Sequence, residues 1–181
     1  MSRTSLVARG VVTTAAMAIA FAAVGPSPLA AQTGTINATA TVLQPITITG
    51  SNDLQFGNVF PGVNKTVDYT DATNAGKFTV GGDGGAQVAV SFTLPTDLNG
   101  PAGSTLPIST WTGYYNTTNS ATSGGASFTP SATSFNTNLS GTTGSPGSLY
   151  VFLGATVTPA VNQTQGAYSN TVTMTVAYTG S

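Results

Sequence analysis

Between Tyr168 and Tyr178 a bulky apolar residue comes to fall at every second position: Val172, Met174, Val176 and Tyr178, with Thr171, Thr173, Thr175 and Ala177 between them. A strand turns successive side chains to opposite faces, so this spacing predicts one oily face and one wettable face. Burying the four large side chains is worth roughly 1.5–3 kcal/mol each before conformational entropy is counted. A strand of this kind must dock in a sheet, because left alone it is an adhesive edge.

The same period recurs upstream. Ile36, Ala38, Ala40 and Val42 alternate with Asn37, Thr39 and Thr41, which predicts a first strand. Pro45 removes a ladder donor and predicts a kink or an edge position, after which Ile46 and Ile48 resume the alternation. A turn is expected at Gly50-Ser51-Asn52-Asp53. Leu54, Phe56 and Val59 follow, with Gly57 marking a bulge or close backbone approach, and Pro61-Gly62 forms a second turn. Val63 to Tyr69 reads as a short strand, Asp71 to Ala75 as a polar loop, and Phe78 and Val80 as a strand stopped by Gly81-Gly82-Asp83-Gly84-Gly85. Val88, Val90, Phe92 and Leu94 form a second strongly alternating strand, ended by Pro95. Leu106 to Tyr115 is expected to be a strand, although Ile108 and Trp111 differ in parity and Gly113 interrupts.

Asn116 to Gly147 is mostly Ser, Thr, Asn and Gly. A structureless loop of that length is uncommon in a compact domain, so short strands are expected near Phe128 and Phe135. Leu149 to Val157 is apolar on both faces, with Leu149, Val151 and Leu153 against Tyr150 and Phe152, which marks a central strand. No stretch from Gln32 onward carries helical spacing. Many short strands separated by Gly, Pro and Asn turns predict an all-β fold: an antiparallel two-sheet sandwich of about eight strands, immunoglobulin-like in layout.

The first residues have another character. Arg3 and Arg9 precede an uncharged run from Gly10 to Val24, Pro26 and Pro28 break it, and Leu29-Ala30-Ala31 offers a cleavage site. This is the pattern of a secretory signal peptide over 1–31, leaving a single domain over 32–181. The apolar run of about 15 residues falls short of the ~20 that span a membrane, so no membrane association is expected after cleavage.

The mature chain keeps Lys65 and Lys77 against Asp53, Asp68, Asp71, Asp83 and Asp97, a net charge of −3. With no basic patch, nucleic acid is excluded as a partner. Cysteine and histidine are absent, and the five acidic residues are all aspartate. No Ser–His or Cys–His pair can be assembled, and no zinc site of the usual ligands is possible. The chain is therefore expected to be no enzyme and to need no cofactor. Calcium would require folding to gather Asp53, Asp68, Asp71 and Asp83, and solvated turn aspartates are the preferred reading. Trp111, Tyr114 and Tyr115 form a candidate aromatic platform for a sugar ring, set against an ordinary core role. The Asn-x-Ser/Thr triplets at Asn37, Asn64, Asn116, Asn138 and Asn162 follow from a threonine-rich composition.

Asp53-Leu54-Gln55-Phe56-Gly57 read with Leu153-Gly154-Ala155-Thr156-Val157, Gln165-Gly166-Ala167-Tyr168 and Thr173-Met174-Thr175-Val176-Ala177-Tyr178 carries a resemblance. The chain resembles a group of secreted bacterial β-domains known as a domain of unknown function, akin to spore coat protein U domains and, more distantly, chaperone–usher pilins. The closing Gly-x-Tyr … Val-x-Met-x-Val-x-Tyr pattern is its most specific part. The resemblance implies an extracellular or cell-surface subunit of a fibre or coat, exported through the periplasm. It associates with its own kind or related subunits, with a periplasmic chaperone as a further partner. It also implies assembly by strand addition, in which a neighbour completes an open groove. Val172, Met174, Val176 and Tyr178 then form the acceptor-side strand. Ile36, Ala38, Ala40 and Val42 are either the donor, with Pro45 as hinge, or an integral first strand. The alternative function is a monomeric carbohydrate-binding module that uses the Trp111 platform. The missing cysteines depart from many such subunits.

Overall fold

The computed structural model describes residues 31–180, so the expected signal peptide over 1–31 lies almost wholly outside the described residues. The chain divides into Met1–Thr39 and Ala40–Ser181. Of the first part, residues 31–39 are exposed and in no strand.

Ten strands follow: β1 (Thr47–Asn52), β2 (Lys65–Val67), β3 (Gly76–Asp83), β4 (Gln87–Thr93), β5 (Asp97–Asn99), β6 (Thr105–Asn116), β7 (Ala126–Phe128), β8 (Phe135–Asn138), β9 (Pro146–Val157) and β10 (Thr173–Tyr178). Seven form one sheet in the order β1-β3-β9-β6-β5, with β2 beside β9 and β7 beside β6. The other three form a second sheet, β10-β4-β8. All pairings are antiparallel. The expected all-β, two-sheet sandwich is the fold.

The strand apolar on both faces is central, as its composition requires. β9 pairs along its first part with β3, then with β2, and along its other edge with β6. Its Val151–Ala155 stretch is buried throughout. Leu149, Val151 and Leu153, with Val80 beside them on the neighbouring strand β3, pack against Val88, Val90, Phe92, Leu139 and Met174 to form the main core. Gly154 has to be glycine for want of room: a Cβ there would stand 2.5 Å from the Val67 carbonyl and 2.7 Å from the Tyr69 nitrogen.

Two departures from the sequence reading matter for function. The expected first strand over 36–42 is absent, and the first strand begins at Thr47, beyond Pro45. The parity mismatch in β6 is resolved by a bulge between Ser109 and Thr112. Thr110 there takes a φ of +51°, a left-handed conformation that costs a β-branched residue roughly 1–2 kcal/mol. The extra residue re-aims the strand, as bulges do, so that both Ile108 and Trp111 turn inward. Gly113 does not interrupt: it leaves room for the Phe128 ring. The short strands expected near Phe128 and Phe135 are β7 and β8. The turn expected at Gly50–Asp53 falls instead within and just after β1.

Candidate functional site

The three-stranded sheet covers only part of the larger one. Beyond the main core the inner face carries a second cluster, Leu106, Ile108, Ala155 and Val157, all buried. No strand of the small sheet lies over it. It is roofed in part by Leu54, Phe56 and Val59 from the segment after β1, and by Trp111, Leu98 and Tyr168. Between these walls lies an open groove of about 1190 Å³, reaching from Gly50 and Phe78 past Leu153 and Ile108 to Phe60 and Pro159, with Val172 on its rim.

β10 starts at this space, since Val172 on the groove's rim immediately precedes Thr173. Its period-two pattern puts Met174 in the core at 6% exposure, with Val172, Val176 and Tyr178 half-buried against the same cluster. It pairs residue for residue with β4, from Thr173 opposite Thr93 to Tyr178 opposite Val88. Among the described residues its other edge pairs with nothing. A row of unpaired backbone donors and acceptors that starts at a groove floored by apolar side chains is a template for one more strand.

Tyr178 also does more than pack. Its hydroxyl donates to the Gln44 carbonyl at 2.7 Å and accepts from the Asp83 N–H at 2.7 Å. Gly82 admits it, since a Cβ there would stand 2.6 Å from the hydroxyl oxygen. One phenol thereby fixes where the chain enters the domain, just before Pro45. Upstream of that point Ile36 is 95% and Val42 94% exposed, and Ala38 and Ala40 are exposed too.

Tyr168 secures the opposite wall. Its hydroxyl donates to the Thr164 carbonyl at 2.7 Å and accepts from the Gln163 side-chain amide at 2.7 Å, with Ser104 Oγ at 3.0 Å. Its ring lies against Gly100, and Ser169 and Asn99 exchange backbone bonds at 2.9 Å. Packing alone therefore accounts for neither tyrosine.

Trp111, Tyr114 and Tyr115 do not form a platform. Trp111 faces the groove with the second cluster. Tyr115 stacks on Phe135 at 4.9 Å inside the main core. Tyr114 lies opposite outward-facing Phe152, stacks on Tyr69 at 5.6 Å, and accepts the Gly125 N–H at 2.8 Å. One strand cannot bring the three to one surface, because adjacent residues point to opposite faces.

The aspartates are dispersed likewise. Among the described residues no group of three metal-ligating side chains stands together. Asp68 accepts the N–H and hydroxyl of Thr70 at 2.9 and 2.7 Å. Asp71 is held below its ordinary pKa first by the Asn74 side-chain amide, then by the N–H groups of Asn74 and Thr73. Asp83 is buried and accepts from the Gly144 N–H at 3.2 Å.

Residues 63–178 match the family described as Domain of unknown function (DUF4402). The chain belongs to this family. No curated protein matches it. A chain from the solved structure of a chaperone–usher pilus aligns over 85% of this chain and 99% of its own, at 15% identity and a TM-score of 0.36. So slight an overlap leaves the architecture to be read from the strand pairings themselves.

The DUF4402 match takes in β2 to β10 and leaves out β1, the Leu54–Phe60 wall and the exposed run before Pro45. The groove is thus built from the family domain on one side and from residues outside the match on the other. Sequence reading gave Leu54, Phe56, Leu106 and Ile108 no functional part. Their signal was present, since Leu54-x-Phe56 and Leu106-x-Ile108 both alternate, but nothing local said that they face each other.

Proposed function

We propose that this DUF4402 chain is an exported, non-enzymatic structural subunit of a bacterial surface appendage or coat that assembles by strand addition. The alternating run Ile36, Ala38, Ala40 and Val42 of one copy lies in the groove of another, along the unpaired edge of β10. Backbone bonds to that edge give affinity, and the alternate side chains give register. One observation carries the reading: among the described residues a segment with strand periodicity has no sheet, while a sheet edge and a groove floored by apolar side chains have no strand. The small Ala38 and Ala40 suit a slot already lined by Leu153, Ile108 and Trp111. The relation to spore coat protein U domains and the help of a periplasmic chaperone belong to the same proposal. Its place is the cell surface or the medium, reached through the signal peptide.

The test compares mature protein with a variant lacking Gln32 to Val42, which spares Gln44 and its bond to Tyr178. The mature protein should form fibres by negative-stain microscopy and sizing, and the variant should stay a folded monomer. A peptide of residues 32–43 added to the variant should bind and shift the emission of Trp111. Polymers formed without the arm, or loss of the fold on its removal, would contradict the reading.

A further inference from the structure

A donated arm also dictates where its own domain comes to rest. Only Leu43 separates Val42, the last residue of the alternating run, from Gln44, whose carbonyl the Tyr178 hydroxyl holds at 2.7 Å. One residue spans at most about 3.3–3.6 Å, so the domain that gives the arm must lie directly against the domain that takes it. Tyr178 sets Gln44 beside Asp83, at the end of the sandwich where β3 finishes opposite Pro146.

The opposite end, where β9 reaches Val157 between Lys65 and Ile108, carries an exposed apolar patch. Phe60 is 69%, Val63 58% and Val161 87% exposed. The Gly62 N–H bonds the carbonyls of Pro159 and Ala160 at 3.2 and 3.1 Å, which joins the two loops into one surface. Phe60 and Pro159 also form the mouth of the groove. A cluster of large apolar residues held open on a polar surface marks a contact site.

Direction follows from β10. Its free edge runs from Thr173, near Val172 and the groove, to Tyr178 beside Asp83. Antiparallel pairing is the more stable kind per residue. An antiparallel arm ends with Val42 at the Phe60 mouth. A parallel arm would end at Tyr178, where the acceptor's own Gln44 and Ile46 already sit.

We propose that the Phe60–Val63–Val161 patch seats the Leu43–Pro45 corner of a second copy of this chain, so that copies stack head to tail. This rests on strand addition by residues 36–42. Leu43, 39% exposed, and the exposed Pro45 supply the apolar counterpart. Two unlike ends in contact form a heterologous interface that does not close, and repetition gives an open filament.

The chain has no cysteine, so introduced pairs report contacts without background. In oxidised mature protein Leu43→Cys/Val161→Cys should give a ladder of multimers on a non-reducing denaturing gel, while Thr35→Cys/Val161→Cys runs as monomer. The reverse pattern would place the arm parallel and overturn the proposal. Phe60→Ser/Val161→Ser should leave the monomer's Tm unchanged and speed polymer dissociation about tenfold, since affinity changes within one interface fall mostly on the off-rate. Unchanged dissociation would overturn the patch while strand addition stands. If the wild type gives no polymers and neither pair cross-links, strand addition itself fails and the stacking fails with it.

Discussion

Tyr178→Phe removes one oxygen and leaves the ring in place. That oxygen satisfies two backbone groups distant in sequence, the Gln44 carbonyl and the Asp83 N–H, each at 2.7 Å and partly buried. Removing one partner strands the other, and a buried unsatisfied backbone group costs about 1–3 kcal/mol. Both groups are only partly shielded, so a combined loss of about 2–4 kcal/mol is expected. With a urea slope of about 2 kcal/mol/M, the unfolding midpoint should fall by about 1–2 M at unchanged slope. Amide exchange at Asp83 should rise together with exchange across the entry at Ile46, because one hydroxyl holds both. A midpoint shift under about 0.2 M, or a faster Asp83 amide with Ile46 unaffected, would refute the bridging role.

Met174→Asp should eliminate soluble folded protein, since it buries an unpaired charge, whereas Val176→Asp, on the same face but half-buried, should lower the yield without abolishing it; equal yields would contradict the burial order. Gly154→Ala should lower Tm by about 2–4 °C for each kcal/mol of overpacking, because its Cβ meets backbone rather than a side chain that can swing away; an unchanged Tm would show that β2 can shift freely. Asp71→Ala should destabilise the fold at neutral pH. The Asp71 carboxyl is held below 3.8 in the folded chain, so its contribution is present above that value and disappears as pH falls through the lower, folded one. Urea midpoints of wild type and variant should therefore converge in strong acid, and a gap that stays constant with pH would contradict the carboxylate's part.

Most of the strands were legible because their signal is local. Val88-x-Val90-x-Phe92 alternates, Pro95 follows it, and β4 is where that pattern put it. Leu149 to Val157, apolar on both faces, became the strand with neighbours on both edges. The run Ile36–Val42 carries the same pattern and forms no strand, because periodicity describes a surface that can be paired and cannot supply the partner. Trp111, open between platform and core in the sequence, needed the structure for a different reason. A bulge shifts parity by one, and the sequence of β6 does not show which residue takes up the slack.

The residues alone determined the class of fold, since backbone pleat and side-chain alternation are properties of a few consecutive positions. They also leave no histidine, cysteine or glutamate from which a Ser–His or Cys–His pair or a His/Cys zinc site could be built. Only the folded chain decided that Leu106 and Ile108 lie under Leu54 and Phe56, and that among the described residues one edge of β10 pairs with nothing. It alone brought Tyr178 to Gln44 and Asp83, 134 and 95 residues away along the chain. Such contacts depend on how two sheets close over one another, and loop closure across that many residues leaves no trace in local spacing.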